Sequence, residues 1–255
     1  PIVPETEKQA QALTAALRER LDAPVLCTFQ SEADFIEDLE APWPEAVWET
    51  LAGLSDAVDG FVSVSGAHKR EMCRRLGVAP ETVPVVPHGV ELDGYVQHGD
   101  VEGPPRITYL ARLDERHGAG RLLEAFHALS GDHEEAHLTL AGSMTAADRP
   151  FVEKLRQRAQ ELGLASRVQL HPNITPEDKR ALLGASSVLS VPTEREAAGR
   201  YVFEALASGC PVVAPKVGAL VEWIEDTAGG LLYDPDAPGG LATALSRMLR
   251  DAALR

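Results

Sequence analysis

Aromatic residues make up only 5% of this chain, and cysteine is rarer still, with three among 255 residues. An odd number of scattered thiols (Cys27, Cys73 and Cys210) supplies no disulfide framework, and no His/Cys cluster has metal-binding spacing. Lying in apparent strand or helix segments, the three are expected as buried free thiols in a reducing compartment. No apolar run approaches the ~18 residues that would suggest a spanning helix, and no basic-apolar-small opening resembles a signal peptide. Export is therefore not indicated, and the expected setting is cytoplasmic with at most peripheral membrane contact. Cationic residues are also in deficit, 24 Lys and Arg against 39 Asp and Glu, for a net charge of −15. That field repels polyanions and argues against nucleic acid as a partner, although a local basic patch could hold one diphosphate. Gly118-Ala119-Gly120 lacks the third glycine and ribose acid of a dinucleotide fingerprint. No nucleophilic triad can be found.

What is present suits one large or two small domains, with 44% apolar residues and ample core. Residues 5–21 have helical spacing, followed by an apolar run from Pro24 to Cys27 and then Thr28-Phe29-Gln30. Trp43 to Ala57 reads as an amphipathic helix, Phe61 to Val64 as a strand, and Gly66 to Leu76 as a helix stopped by Gly77. Val83 to Val86 reads as another strand. A linker rich in Asp, Gly and Pro, Gly94 to Pro105, divides the chain into domains at 1–95 and 96–255. Beyond it, strand and helix alternate. Strands are expected at Ile107–Leu110, Leu138–Ala141, Arg167–Leu170 and Ser187–Val191. Helices are expected at Ala119–Leu129 and Pro150–Leu162, at a third capped by Thr175 with Pro176 in its first position, and at Gly240–Leu249. Such alternation implies a parallel, doubly wound sheet whose ligands lie outside the carboxyl ends of its strands.

The stretch from Val191 to Ala214 carries most of the chemistry. It reads as strand end, polar loop, a helix from Arg200 with Val202, Phe203 and Leu206 on one face, a Gly209 stop, and a strand at Val212–Ala214. Orphan N–H groups at such a helix start favour anions. Glu196 and Glu204 stand eight apart across the junction. Carboxylates beside a phosphate-binding helix start suit a ligand that is both phosphate and sugar.

The E-x7-E spacing, followed by E-A-L-A-S-G-C-P-V-V-A and V-G-A-L-V-E, resembles the donor-site signature of family-4 retaining glycosyltransferases. Y-L-A-R-L-D-E-R-H-G (109–118), V-V-P-H-G-V-E-L (85–92) and D-A-V-D-G-F-V-S-V-S (56–65) are similar to further family segments in the same order. The resemblance implies an α/β chain of GT-B type, two Rossmann-like domains with parallel sheets, the first incomplete. It assigns 1–95 to the acceptor side and 96–255 to the nucleotide-sugar donor. The family's Gly-rich opening strand is expected before residue 1 and its closing helix after Arg255, so the chain reads as part of a longer protein.

By the same resemblance, Glu196 faces the donor sugar's hydroxyls and Glu204 the ribose. Backbone N–H groups of Ala198, Gly199, Arg200 and Tyr201 meet the diphosphate and sugar. Ala197-Ala198 replaces the family's usual Gly-Phe. Arg112 serves the phosphates, its planar fork matching their oxygens. The family's lysine five residues on is His117 here, with Arg116 beside it, so the clamp is weakened unless the imidazole is protonated or Arg116 compensates. Asn173 and Ile174 would pack the base. Gln30 stands where many members carry a histidine near the reacting sugar, and it can hydrogen-bond but not act as a base. Asp234-Pro235-Asp236 reads as a turn rather than a metal motif.

The expected reaction is transfer of a sugar from a nucleotide diphosphate sugar to an acceptor hydroxyl, with retention, no resident cofactor and no metal. The acceptor could be a glycan, lipid or small molecule. Alternatives are a nucleotide-sugar-binding module without transferase activity, or an epimerase. Phosphorolysis would need a pyridoxal lysine, for which Lys216 is poorly placed.

Overall fold

The computed structural model describes residues 20, 23–95 and 103–251. The expected helix at 5–21 falls almost wholly outside them, as does the middle of the expected linker. The chain divides into two compact units. One runs to Gly89 and takes in Arg195–Ala198; the other comprises Val90–Glu194 and Gly199–Arg255. This division precedes the expected join at 95/96, and Tyr95 packs against a core of the second unit.

In the first unit, β1 (Leu26–Phe29) and β2 (Gly60–Ser63) form a two-stranded parallel sheet. The expected strand at Val83–Val86 is reduced to one parallel bridge between Ser63 and Val85, and Pro80–Thr82 turns as a 3-10 helix just before it. Helices α1 (Glu32–Glu37), α2 (Trp43–Leu54) and α3 (Gly66–Leu76) accompany the sheet. Their core joins Phe29, Ile36, Trp48, Met72, Cys73, Leu76 and Val83. Phe29 stacks on Phe61 at 4.8 Å between centroids. Arg75 lies over the Trp48 ring and pairs with Glu37, which also accepts from the Trp48 indole N–H. Cys73 is buried as expected, but Cys27 is exposed: β1 has β2 on one side only among the described residues, and Leu26 is 65% exposed beside it.

The second unit holds a six-stranded, wholly parallel sheet. Its strands are β3 (Arg106–Leu110), β4 (His137–Gly142), β5 (Val168–Pro172), β6 (Val188–Ser190), β7 (Val212–Pro215) and β8 (Gly230–Tyr233). Their spatial order is β5-β4-β3-β6-β7-β8. The chain thus builds outward from β3 in one direction, then returns beside β3 and builds outward in the other. Helices cover both faces, as a parallel sheet requires. α4 (Ala119–Leu129), α5 (Arg149–Glu161) and α9 (Gly240–Arg250) share one core with Ile107, Tyr109, Leu138, Leu140, Val188 and Val213. α6 (Pro176–Gly184), α7 (Arg200–Ala207) and α8 (Gly218–Thr227) share the other with Leu110, Ala141, Leu189, Val191, Val212 and Ala214.

The faces alternate along each strand with the period of two that the pleat imposes. In α4, Ala119, Leu122, Leu123, Phe126 and Leu129 are buried, the spacing of a single helix face. Cys210 is buried, and desolvation pushes its thiol up to about 12. Among the described residues no helix is long and apolar enough to cross a membrane.

Phe126 is fully buried in the first of these cores, whereas Leu26 is largely exposed. Phe126→Ala is expected to lose about 3–5 kcal/mol, and Leu26→Ala to stay within about 0.5 kcal/mol of the parent. Urea midpoints at unchanged slope measure both. Comparable losses would contradict this partition of core and surface.

Candidate functional site

An open parallel sheet binds ligands outside its carboxyl ends, at the point where the strand order reverses. In the second unit that point lies between β3 and β6, which are neighbours in the sheet. The loop after β3 carries Arg112, Arg116 and His117. The loop after β6 leads through Pro192 towards Gly199, the left-handed residue (φ 63°) that precedes α7. The two loops meet at Gly118, where φ is 84° and an added Cβ would stand 2.2 Å from the Pro192 carbonyl oxygen. Arg121 strengthens the contact, donating to the Pro192 carbonyl at 2.7 Å and pairing with Glu194.

Arg112 is held at three points. Its backbone carbonyl accepts from the buried Tyr109 hydroxyl at 2.7 Å. Its Nη2 donates to both Asp148 oxygens at 3.2 and 3.1 Å. Its Nε faces Asp114 Oδ2 at 3.3 Å. Burial pushes the Tyr109 hydroxyl far above its ordinary value, so it remains a donor. Asp114 organises the rest of the loop, as its Oδ1 accepts from the backbone N–H groups of Arg116 and His117 at 3.0 and 3.1 Å. The same oxygen meets His117 Nδ1 at 2.6 Å. Arg112 and His117 are therefore brought together through Asp114, while the Arg116 side chain is exposed.

Asp148 closes a capping box with Thr145, accepting from its N–H and hydroxyl at 2.7 Å each. Those two bonds, followed by the Arg112 guanidinium, hold the Asp148 carboxyl below its ordinary value of 3.8.

Asn173 follows β5 with a left-handed φ of 57°. Its N–H donates to Gly142 at 2.7 Å and its Oδ1 accepts from Met144 N–H at 2.8 Å, tying the ends of β4 and β5 together. Ile174 and Tyr201 are partly buried against the second core. Glu204 is 5% exposed. Its Oε1 accepts from Lys179 Nζ at 2.7 Å and lies 3.5 Å from Arg200 Nε.

Glu196 and Ala198 belong to the segment that groups with the first unit. There the Ala198 N–H donates to Glu196 Oε1 at 3.0 Å, and Ser65 Oγ, the cap of α3, donates to the Ala197 carbonyl at 2.7 Å. Gln30 is exposed, with its N–H donating to Glu32 Oε2 at 2.8 Å. Glu32 also meets buried His68 Nε2 at 3.1 Å. Burial raises the Glu32 carboxyl, but its hydrogen bonds to His68 and to backbone N–H groups outweigh that and leave it below its ordinary value.

Sequence reasoning missed Tyr109, Asp114, Asp148 and Lys179. The Thr145-x-x-Asp148 spacing was a readable capping signal; Tyr109 and Asp114 stood inside the 109–118 segment without being given a role, and Lys179 lay in no motif. Among the described residues, no group of three or more His, Cys, Asp or Glu is placed to hold a metal.

Because Asp148 is depressed on folding, its stabilising effect is complete above the ordinary carboxylate range. It is lost as pH falls through the lower folded value. Asp148→Asn should flatten the acid limb of the urea midpoint against pH between about pH 4 and pH 2. An acid limb of unchanged slope would show that the capping box and the Arg112 pair do not carry this linkage.

With this geometry in view, the chain can be set beside known proteins. It is 28% identical over 232 residues to the D-inositol 3-phosphate glycosyltransferase of Acidothermus cellulolyticus, covering 86% of this chain and 51% of that protein. The enzyme of the same name from Xylanimonas cellulosilytica is 29% identical over 260 residues, 93% of this chain and 60% of that one. The chain thus spans between half and three-fifths of these relatives. In fold it is similar to Anabaena HepE, solved in complex with UDP and glucose, with a TM-score of 0.80 at 20% identity over 96% of this chain and 67% of that one. The α/β architecture with parallel sheets is that of the GT-B glycosyltransferases. Residues 8–93 match the family described as Glycosyltransferase Family 4. Residues 96–255, which include the strand-order reversal and both of its loops, match Glycosyl transferases group 1, and the chain belongs to that family.

Proposed function

We propose that the second unit binds the nucleotide diphosphate sugar donor of a retaining glycosyltransferase, which moves a hexosyl group to an acceptor hydroxyl. The observation that carries this reading is the placement of Arg112. It stands at the carboxyl end of β3, beside the strand-order reversal, with its backbone and guanidinium both fixed before any ligand arrives. Breaking the bond between sugar and diphosphate develops negative charge on the phosphates. A preorganised guanidinium and the N–H groups at the start of α7 would meet that charge without reorganising. Arg112 is then the catalytic cation, with His117 and Arg116 as its neighbours. The family resemblance assigns the base to Asn173 and Ile174, and Glu204 would accept from ribose hydroxyls.

Glu196 is assigned to the sugar hydroxyls by the family resemblance. The reading requires no metal, since the diphosphate charge is carried by Arg112 and backbone N–H groups. In retention of this kind the departing phosphate helps take the acceptor proton, which fits a chain in which no nucleophilic triad is found. The names of the sequence relatives make a phosphorylated polyol one acceptor to test, beside glycans and lipids. A cytoplasmic setting suits a nucleotide-sugar donor.

Glu196→Gln is expected to abolish transfer while leaving the affinity for free nucleoside diphosphate within about threefold, under 0.7 kcal/mol. Calorimetry with UDP and GDP, paired with an assay of diphosphate release with and without acceptor, measures both. A parallel collapse of diphosphate affinity would contradict the assignment of Glu196 to the sugar. Diphosphate release that never depends on an acceptor would contradict transfer.

A further inference from the structure

Glu204 is a buried carboxylate in the second turn of α7, and its companion Lys179 comes from a different element, α6. The pair is close, at 2.7 Å, with side chains 25% and 6% exposed respectively. Arg200, at 63% exposure, approaches the same oxygen from solvent at 3.5 Å. Both cations therefore address Oε1, and the carboxylate is held by one of its two oxygens. Nearby, burial and then the Glu204 charge raise the Tyr95 hydroxyl, so Tyr95 stays neutral and leaves the compensation of Glu204 to the two cations.

A carboxylate sunk this far from water is stable as an anion only when paired. Of the two cations, Lys179 is the closer and the less exposed. Its helix is itself fixed at its start, where Thr175 Oγ1 accepts from Asp178 N–H at 3.1 Å directly after Asn173 and Ile174. The ion pair thus locks the orientation of Glu204 to the segment that follows β5. With Oε1 committed, a ligand hydroxyl would be met by the lone pairs of Oε2, whose direction Lys179 dictates.

We propose that Lys179 is a positioning residue that aims the Glu204 carboxylate at a vicinal diol and thereby sets selectivity for a ribonucleoside diphosphate over its 2′-deoxy counterpart. This rests on the donor-binding reading above. Lys179 does not touch the ligand; it fixes the group that does. A purely structural pair would lower stability and the affinity for both nucleotides alike. A positioning pair would change the ratio between them.

The test is calorimetric, using the whole chain with UDP against 2′-deoxy-UDP, and GDP against 2′-deoxy-GDP. The unmodified protein is expected to favour the ribonucleotide of one pair by about tenfold, the worth of a hydrogen bond to a charged acceptor. Lys179→Met should bring that ratio below about threefold, and Lys179→Arg, which keeps the cation, should restore most of it. If Lys179→Met does not fold, Lys179→Gln, which keeps a hydrogen-bond donor beside Glu204 but removes the charge, takes its place and should likewise lower the ratio below about threefold. An unchanged ratio in the variant that folds, whatever its absolute affinity, would overturn the role of Lys179 alone. Failure of the unmodified chain to bind any of the four nucleotides would overturn the donor-binding reading, and this inference with it.

Discussion

Gly118 passes Pro192 so closely that a methyl group on its α-carbon would stand 2.2 Å from the carbonyl oxygen. Gly142 passes Ala111 more closely still, with a hypothetical Cβ 1.7 Å from the Ala111 oxygen. These two contacts draw the loop after β3 against the ends of both flanking strands, β6 and β4. Both residues have positive φ, 84° and 151°, which a side chain would resist. The loop that carries Arg112 and His117 is therefore pinned at both sides of its own strand, and the candidate site inherits its geometry from backbone packing. Tyr109 extends the same logic inward: its ring belongs to the core, and its hydroxyl grips the backbone of Arg112.

The course of the second unit's first five strands was legible because a strand buried on both faces must be a short apolar run and a crossover must be helical. The expected strand at Ile107–Leu110 and helix at Ala119–Leu129 are found at Arg106–Leu110 and Ala119–Leu129. Gly209 stands just past α7 with φ 72°, as its stop role required. Local pattern failed where the partner rather than the segment decides the outcome. Val83–Val86 has the composition of a strand, yet it makes a single bridge. Cys27 sits in a strand as expected, but a strand at an edge need not bury its side chains. The short α1 and β8 carried too few periodic residues to be read at all.

The site was half legible for a related reason. Residues that would meet a ligand sit at predictable places, strand ends and helix starts, so Arg112, His117, Asn173 and Glu204 could be named from spacing and resemblance. The residues that fix them join the site through the fold. Asp148 lies 36 positions from Arg112, and Lys179 lies 25 positions from Glu204. Neither separation has a periodicity that a sequence could display. Only the strand order, which places the ends of β3 and β4 side by side, brings Asp148 to Arg112.

The pairing of these cations bears on how an acidic protein would hold the diphosphate of the proposed donor. With a net charge of −15, bulk attraction works against any anion. Each well-placed cation also has a carboxylate partner: Arg112 with Asp114 and Asp148, Lys179 with Glu204, and Arg121 with Glu194. A patch of loose lysines would attract by field and lose its grip as salt screens it. Arg112 works differently. Its acid contacts run through Nε and Nη2, and these fix the plane of a fork whose remaining N–H groups point where that plane dictates. The acids spend part of the local positive charge and return it as orientation, since an arginine already locked in place loses little side-chain entropy on meeting a ligand. Recognition of a diphosphate there would depend on matching two oxygens to a planar fork beside a helix start, a short-range and directional requirement. In the proposed site, discrimination would come from geometry, while the overall negative charge would disfavour polyanions that cannot meet it.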